Sequence, residues 1–264
     1  MAFPVANFAG VRVDALTTVE MLDTIDGWLT RKTGRSRHIA CMNAYCVSLA
    51  LEDPALRRIY NRADLAVPDS KPFVYWIRRF VRRECDLLWG KNVIFALAER
   101  ARETRYTFYL YGGTPEACEG TRAFLQDRFP HLAIVGTCSP PFRPMTEDED
   151  RAICDEINRL RPDIVLVALG TPRQDYWIDA HIDKLQGSVL IAVGAVFDFF
   201  SGRVAMAPDF IHEAGFAWLY RMLGKDRKRL WRRYTVDHGR FLWQFARQQV
   251  GLSQPSAVTD PRPE

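Results

Sequence analysis

What this chain has little of is uncharged sequence. No stretch without a charged residue is longer than 14 residues; His38–Leu51 has 14 and Leu185–Phe197 has 13. A helix that crosses a bilayer needs roughly 20 apolar residues, so no span is expected. No basic segment followed by an apolar one opens the chain, so no secretory leader is expected either. Among the six cysteines, at 41, 46, 85, 118, 138 and 154, there is no CxxC pair. That removes the usual zinc and redox spacings and points to reduced thiols rather than a disulfide framework. No GxGxxG follows the first strand run and no Walker loop occurs, which weighs against the common dinucleotide and P-loop folds. The five histidines, His38, His131, His181, His212 and His238, show no ligand spacing and are read as structural or solvated. What is present is ordinary: 48% hydrophobic and 26% charged residues exclude collagen-like and wholly disordered chains and allow a sizeable core.

The net charge of +4 is unevenly spread. Between Arg221 and Arg240 lie eight basic and two acidic residues, so that segment carries +6 and the rest of the chain −2. A basic segment on a near-neutral body suggests an anionic partner: a membrane surface, a diphosphate or a nucleic acid.

Strand-length apolar runs occur at 8–14, 37–43, 64–68, 106–111, 132–137, 163–169 and 188–197. Several are unbroken and rich in β-branched residues, as in Ile164-Val-Leu-Val-Ala168, and fit strands buried on both faces of a largely parallel sheet. Helical segments are expected at 19–33, 54–62, 71–80, 90–104, 115–129, 147–160 and 173–185. Their starts are marked: Thr17 with Glu20 and Thr146 with Glu149 have capping-box spacing. Asp53-Pro54, Thr114-Pro115 and Thr171-Pro172 each place a capping side chain before proline. The alternation predicts an α/β, Rossmann-like layered fold. From Pro208 to Val250 the pattern is helical only. The expected organisation is a catalytic α/β domain over 1–207, a basic helical appendage over 208–250, and a disordered tail over 251–264.

In such a sheet, ligands sit beyond the carboxyl ends of the strands. Glycines fall at four expected strand ends: Gly112-Gly113, Gly136, Gly170 and Gly194. Each either lets backbone approach a phosphate or makes a tight turn. Asp69 ends the third run and is placed to act as a general base, or to cap the next helix. Asn43 ends the second run, as a ligand contact or a turn residue. Arg173, Gln174 and Asp175 open a helix at a strand end, where an arginine runs against the helix dipole; they are read as ligand contacts over a plain helix start. Asp198 interrupts an apolar run and needs a partner or a site rim. Asp148-Glu-Asp150 has the DxD form of many metal-dependent glycosyltransferases, but it opens a helix, where acids are favourable; the reading is that no metal site is formed there. In the appendage, Trp218, Arg221, Met222, Arg227, Lys228, Arg229, Trp231, Arg232 and Trp243 interleave cations with large apolar residues. That suits an interfacial helix on anionic lipid, and arginine forks suit a diphosphate. A packed helix with a solvated basic face is the alternative. No nucleic-acid-binding motif supports that partner.

Taken in order, these pieces resemble the WecG/TagA/CpsF glycosyltransferases, family 26, over roughly residues 5–235. The matching motifs are Asn43-Ala44, Val67-Pro-Asp69, Gly170-Thr-Pro-Arg-Gln174 with Trp177, Val193-Gly-Ala-Val-Phe-Asp198 with Gly202, Ala207-Pro208, Trp218-Leu-Tyr-Arg221 and Arg232-Arg-Tyr234. The resemblance implies an inverting transfer of a sugar, of N-acetylmannosamine type or glucose, from a UDP-sugar to a polyprenyl-diphosphate-linked saccharide. It also implies a peripheral position on the inner face of the cytoplasmic membrane, and no metal or cofactor. It assigns Asp69 as the base. It puts Gln174 near the nucleotide sugar, and Arg221, Arg232 and Arg233 at the acceptor diphosphate and membrane; with Gln174, the residues Cys41, Asn43, Gly112, Gly170, Arg173, Gly194 and Asp198 make up the expected substrate-binding set. The chain departs from the family pattern at Cys41, Ser70, Asp175, Met206 and Ala217, where threonine, glycine, glutamate, arginine and glutamate are usual. Two other classes remain open from the residues: a Rossmann-like nucleotide-sugar oxidoreductase, and a non-enzymatic module for an anionic surface. The donor sugar and any self-association are not specified by sequence.

Overall fold

The computed structural model describes residues 3–31, 33–208, 211, 219–220, 231 and 233–251, of which Arg233 and Tyr234 enter through their backbone. Arg221, Arg227, Lys228, Arg229 and Arg232, together with the expected tail from residue 252, lie outside the described residues. In chain order the elements are β1 (Val5–Phe8), β2 (Val11–Asp14), α1 (Thr18–Arg31), β3 (Arg37–Met42), α2 (Ala44–Glu52), α3 (Pro54–Arg62), β4 (Leu65–Pro68), α4 (Lys71–Phe80) and α5 (Gly90–Thr104). There follow β5 (Thr107–Gly112), α6 (Pro115–Arg128), β6 (Ala133–Cys138), α7 (Glu147–Leu160), β7 (Ile164–Ala168), α8 (Arg173–His181), β8 (Val189–Ala192) and α9 (Val196–Phe200). A π-helical turn over Arg233–Asp237 leads into α10 (His238–Gln249). The six-stranded sheet has the order β4-β3-β8-β7-β5-β6, the expected α/β layered architecture.

The chain forms two compact units. The first comprises residues 1–17, 41–88 and 206–264; the second comprises 18–40 and 89–205. Strand β3 begins in the second and ends in the first.

In the second unit β3, β8, β7, β5 and β6 run parallel, with Ile39 opposite Ile191, Leu190 opposite Val165, and Leu110 opposite Leu166. Strand β7 is buried at every position. Each such Val, Leu or Ile side chain is worth about 1.5–3 kcal/mol of hydrophobic burial, which is why the unbroken apolar run forms a central strand. Two glycines show what the packing requires. A Cβ on Gly112, where φ is +121°, would lie 2.6 Å from the Ala168 carbonyl carbon. One on Gly136 would lie 2.5 Å from the Tyr109 ring. Gly136 therefore sits inside β6 as a packing glycine, not at a strand end as the sequence suggested. The expected strand over 188–197 also divides: β8 stops at Ala192, and Val196–Phe200 turns into a short helix.

In the first unit, β1 and β2 form an antiparallel hairpin rather than the single strand expected over 8–14, turned at Ala9 and Gly10, both with positive φ. Beneath it lies a fully buried ion pair, Arg12 Nη2 to Asp14 Oδ2 at 3.0 Å. Burial of such a pair is tolerable only when its remaining hydrogen-bonding groups are met. Arg12 donates to the carbonyls of Ala63 at 2.8 Å and Asp64 at 3.3 Å, and Asp14 Oδ2 accepts the Ala66 amide at 2.8 Å. The pair thus locks β2 to the start of β4. An aromatic cluster holds α10 in this unit: Phe8 stacks on Phe73 at 4.0 Å, Phe241 lies 5.6 Å from Phe73, and Phe245 lies 5.5 Å from Trp76.

No disulfide joins the cysteines. Burial pushes the Cys85 and Cys118 thiols up to about 11, which keeps them protonated and inert.

Candidate active site

Asp69 follows β4 directly, and its amide donates to the Met42 carbonyl at the end of β3, 2.8 Å away. The carboxylate therefore stands beside the residue that follows β3, Asn43. The Asn43 side chain does two things. Its Oδ1 caps α2 by accepting the Tyr45 and Cys46 amides at 3.1 and 3.3 Å. Its Nδ2 donates to Asp69 Oδ2 at 2.7 Å. The capping bonds fix which end of the amide is oxygen, so the other end can only be a donor, aimed at the carboxylate. Asp69 does not cap α4; that position belongs to Ser70, which makes no capping bond. Cys41, at the end of β3, accepts through its carbonyl from the Cys46 thiol at 3.6 Å. Cys41, Asn43 and Asp69 are thus gathered in the first unit.

The second unit gathers a different set at the carboxyl ends of β5, β7 and β8. The Gly113 amide donates to the Ala168 carbonyl at 3.1 Å, and Ser139 Oγ donates to the Gly113 carbonyl at 2.7 Å. Gln174 is 3% exposed. Its Oε1 accepts the Gly194 amide at 3.0 Å, and its Nε2 donates to Thr171 Oγ1 at 3.3 Å. Gln174 therefore ties the turn after β7 to the turn after β8, a bracing role that sequence alone did not suggest. Thr171 is not the helix cap that was expected: α8 starts at Arg173, after a cis Thr171–Pro172 peptide, and has no side-chain cap. Arg173 is exposed, donates to the Leu169 carbonyl at 3.0 Å and lies over the Phe142 ring. Asp198 sits in the first turn of α9, half exposed, with Arg203 Nε at 3.7 Å as its partner. The same guanidinium lies 3.7 Å from Glu116 at the start of α6. The DxD pair does not converge: Asp148 is 90% exposed and pairs with Arg151, whereas Asp150 faces His181 and Lys184. The capping box of α7 is formed as expected, between Thr146 and Glu149.

With this geometry in hand, comparison with known proteins is informative. The sequence model of the "Glycosyl transferase WecG/TagA/CpsF family" matches residues 6–255. The chain belongs to this family. Two similar relatives come from Staphylococcus aureus strains MW2 and NCTC 8325, each an "N-acetylglucosaminyldiphosphoundecaprenol N-acetyl-beta-D-mannosaminyltransferase". Each is 25% identical over 241 residues, spanning 91% of this chain and 92% of the relative. Within a WecG/TagA/CpsF glycosyltransferase, the Asp69–Asn43 pair and the Gln174-braced turns are two constellations suited to transfer chemistry. A strand-end carboxylate can take a proton. Turns with glycine amides at helix starts can meet a phosphate, although the first turns of α6, α8 and α9 carry Glu116, Asp175 and Asp198, which oppose an anion. Among the described residues, no helix is long and apolar enough to cross a membrane.

Proposed function

We propose that this glycosyltransferase moves a hexose, of N-acetylmannosamine type or glucose, from a UDP-sugar to a hydroxyl of a polyprenyl-diphosphate-linked saccharide during assembly of a cell-surface polysaccharide. The observation that carries the reading is the Asp69 carboxylate at a strand end, oriented by a donor that is itself fixed by a helix cap. In the proposed step the acceptor oxygen bonds to the anomeric carbon and its proton passes to Asp69. The bond from that carbon to the UDP β-phosphate oxygen breaks, and its electron pair leaves with UDP. A single displacement inverts the anomeric centre. Charge that grows on the leaving diphosphate requires fixed donors, and this falls to amides of the Gly112, Gly170 and Gly194 turns other than those of Gly113 and Gly194, which already donate to Ala168 and Gln174. Arg221, Arg232 and Arg233 hold the acceptor diphosphate. Arg227, Lys228 and Arg229 draw the enzyme to the anionic inner face of the cytoplasmic membrane. No metal or cofactor takes part in the step.

The relatives' name supports the acceptor class, since it specifies a sugar diphosphate on undecaprenol. The test is a panel of radiolabelled UDP-sugars and polyprenyl-diphosphate saccharides in detergent, run on the native chain and on Asp69→Asn. The variant should keep its melting temperature and lose roughly two to four decades of turnover. Unchanged transfer in Asp69→Asn would remove the base from the mechanism, and absence of transfer with every UDP-sugar would remove the donor class.

A further inference from the structure

The seam between α7 and α8 holds a second cluster of reactive side chains. Asp150 and Cys154 are one helical turn apart on α7, so they share a face, and His181 ends α8. A carboxylate oxygen, the thiol sulfur and a ring nitrogen of these three lie within 4.8 Å of one another. Cys154 and His181 are buried. His181 Nδ1 is 2.7 Å from the Trp177 carbonyl, and Nε2 is 2.7 Å from Asp150 Oδ1. The Trp177 carbonyl can only accept, so Nδ1 carries the hydrogen of that contact. The Nδ1 bond to a backbone carbonyl is the arrangement that presents Nε2 to a metal once its own hydrogen is gone.

An independent observation points the same way. The Tyr111 hydroxyl and the Trp177 indole nitrogen are buried with no hydrogen-bond partner among the described residues. The Tyr111 ring stacks on Trp177 at 4.2 Å, and Trp177 stacks on His181 at 4.4 Å. Tyr111, Cys154 and Trp177 belong to one buried cluster, with Cys138 packed against it. A buried orphan of this kind is destabilising, and native interiors rarely leave one without an ordered partner.

We propose that Asp150, Cys154 and His181 form a binding site for a divalent transition metal of the zinc or cobalt class, stapling α7 to α8, with a metal-bound water in the fourth position as partner for the Tyr111 hydroxyl. One thiolate, one imidazole and one carboxylate suit these ions; magnesium and calcium need shells of oxygen ligands. Metal bonds of about 2.0–2.3 Å set tetrahedral ligand atoms roughly 3.5 Å apart. Loading therefore opens the His181–Asp150 contact and draws Cys154 inward. It releases the thiol proton and any proton held between Nε2 and Asp150. It also displaces Lys184, whose ammonium lies 3.2 Å from Asp150 Oδ2 and competes for the same carboxylate.

The test uses the full-length, untagged chain, stripped with a chelator and titrated with Co²⁺. One equivalent should bind with a thiolate-to-cobalt charge-transfer band and tetrahedral d–d absorption, and Zn²⁺ should displace it. Cys154→Ser should lose the charge-transfer band, Asp150→Asn should weaken binding at least tenfold, and Lys184→Ala should tighten it. If Cys154→Ser fails to fold, the opposite effects of the two variants at partly exposed positions, Asp150→Asn and Lys184→Ala, still decide the matter. A chain that gives no charge-transfer band, one whose band survives Cys154→Ser, or one in which Lys184→Ala leaves affinity unchanged overturns the proposal. The spectrum is read without sugar substrates, so its failure is separate from that of the transfer mechanism.

Discussion

Asn43 caps a helix and orients Asp69 with the same side chain, and the two tasks come apart under substitution. Asn43→Ser keeps a hydroxyl that can cap α2 but is too short to reach the 2.7 Å contact with Asp69. Asn43→Ala loses both and should cost about 1 kcal/mol of stability, or roughly 2–4 °C in melting temperature for a chain of this size. Asn43→Asp keeps the cap acceptor and replaces the donor with a second carboxylate oxygen. Two charges at this distance repel by roughly 1.5 kcal/mol in water and about 6 kcal/mol at an effective dielectric of 20. The pair will therefore hold one proton between them, and its second ionisation rises by at least about one pH unit. That proton occupies the oxygen assigned as a base, so Asn43→Asp should be slow below the second ionisation of the pair and regain activity as the pH rises through it. Asn43→Ser should melt near the native temperature yet turn over slowly across the pH range. The assays are thermal unfolding and a pH–rate profile on all three variants. Native turnover and an unshifted profile in both Asn43→Ser and Asn43→Asp would refute a positioning role for Asn43.

Three further outcomes are expected. Arg143 grips Glu149 through two bonds at 2.6 and 2.8 Å and, with the Thr146 amide, holds that carboxyl down to about 2 from a usual 4.5. Its contribution to stability is therefore present above pH 4.5 and fades as the pH falls toward 2. Glu149→Gln should melt below the native chain at neutral pH and converge with it near pH 2, and parallel curves would sink the assignment. Gly136→Ala drives a methyl into the Tyr109 ring and should cost about 1–3 kcal/mol, measured by urea unfolding; a neutral result would mean that β6 shifts freely. Neutralising Arg227, Lys228 and Arg229 together should weaken binding to anionic vesicles by about 1 kcal/mol per charge, and added salt should mimic it. Point neutralisation is preferable here to truncation at Pro208, which would also strip α10 from Phe8 and Phe73.

Much of the fold is legible because local chemistry and burial agree. The β-branched run at Ile164–Ala168 leaves no alternative to a central strand, and Asp53-Pro54 and Thr114-Pro115 cap α3 and α6 as expected. The misreadings share a cause. The segment Ala44–Glu52 has apolar residues on several sides, so α2 merges by periodicity with the strand before it, and α9 likewise merges with β8. The β1–β2 turn carries a single glycine and an alanine at positive φ, too weak a signal to split the run. Strand-end placement made Asp69 and Gln174 visible as polar residues, but not what they bond. Asn43 joins Asp69 across 26 positions and Gln174 joins Gly194 across 20, and pairings of that span are set by sheet order. His181 was passed over because its partners are spread along the chain: the Trp177 carbonyl lies one turn back on α8, but Asp150 lies 31 positions away on α7.

The unit that contains Asp69 is assembled from three separated stretches of chain. The Ala9 amide donates to Gln248 Oε1 at 2.8 Å, and Gln248 Nε2 donates to the Asn7 carbonyl at 2.9 Å, closing a loop of about 240 residues. A nascent chain emerges at about 5–20 residues per second, so the hairpin at Ala9 waits at least about ten seconds for its partner. Through that interval Phe8 and Phe73 lack the rings of α10, and Asp69 has no finished unit around it. Synthesis order thus acts as a timer: a chain cut short before residue 241 has made every strand of the six-stranded sheet and yet cannot complete the unit that carries Asp69.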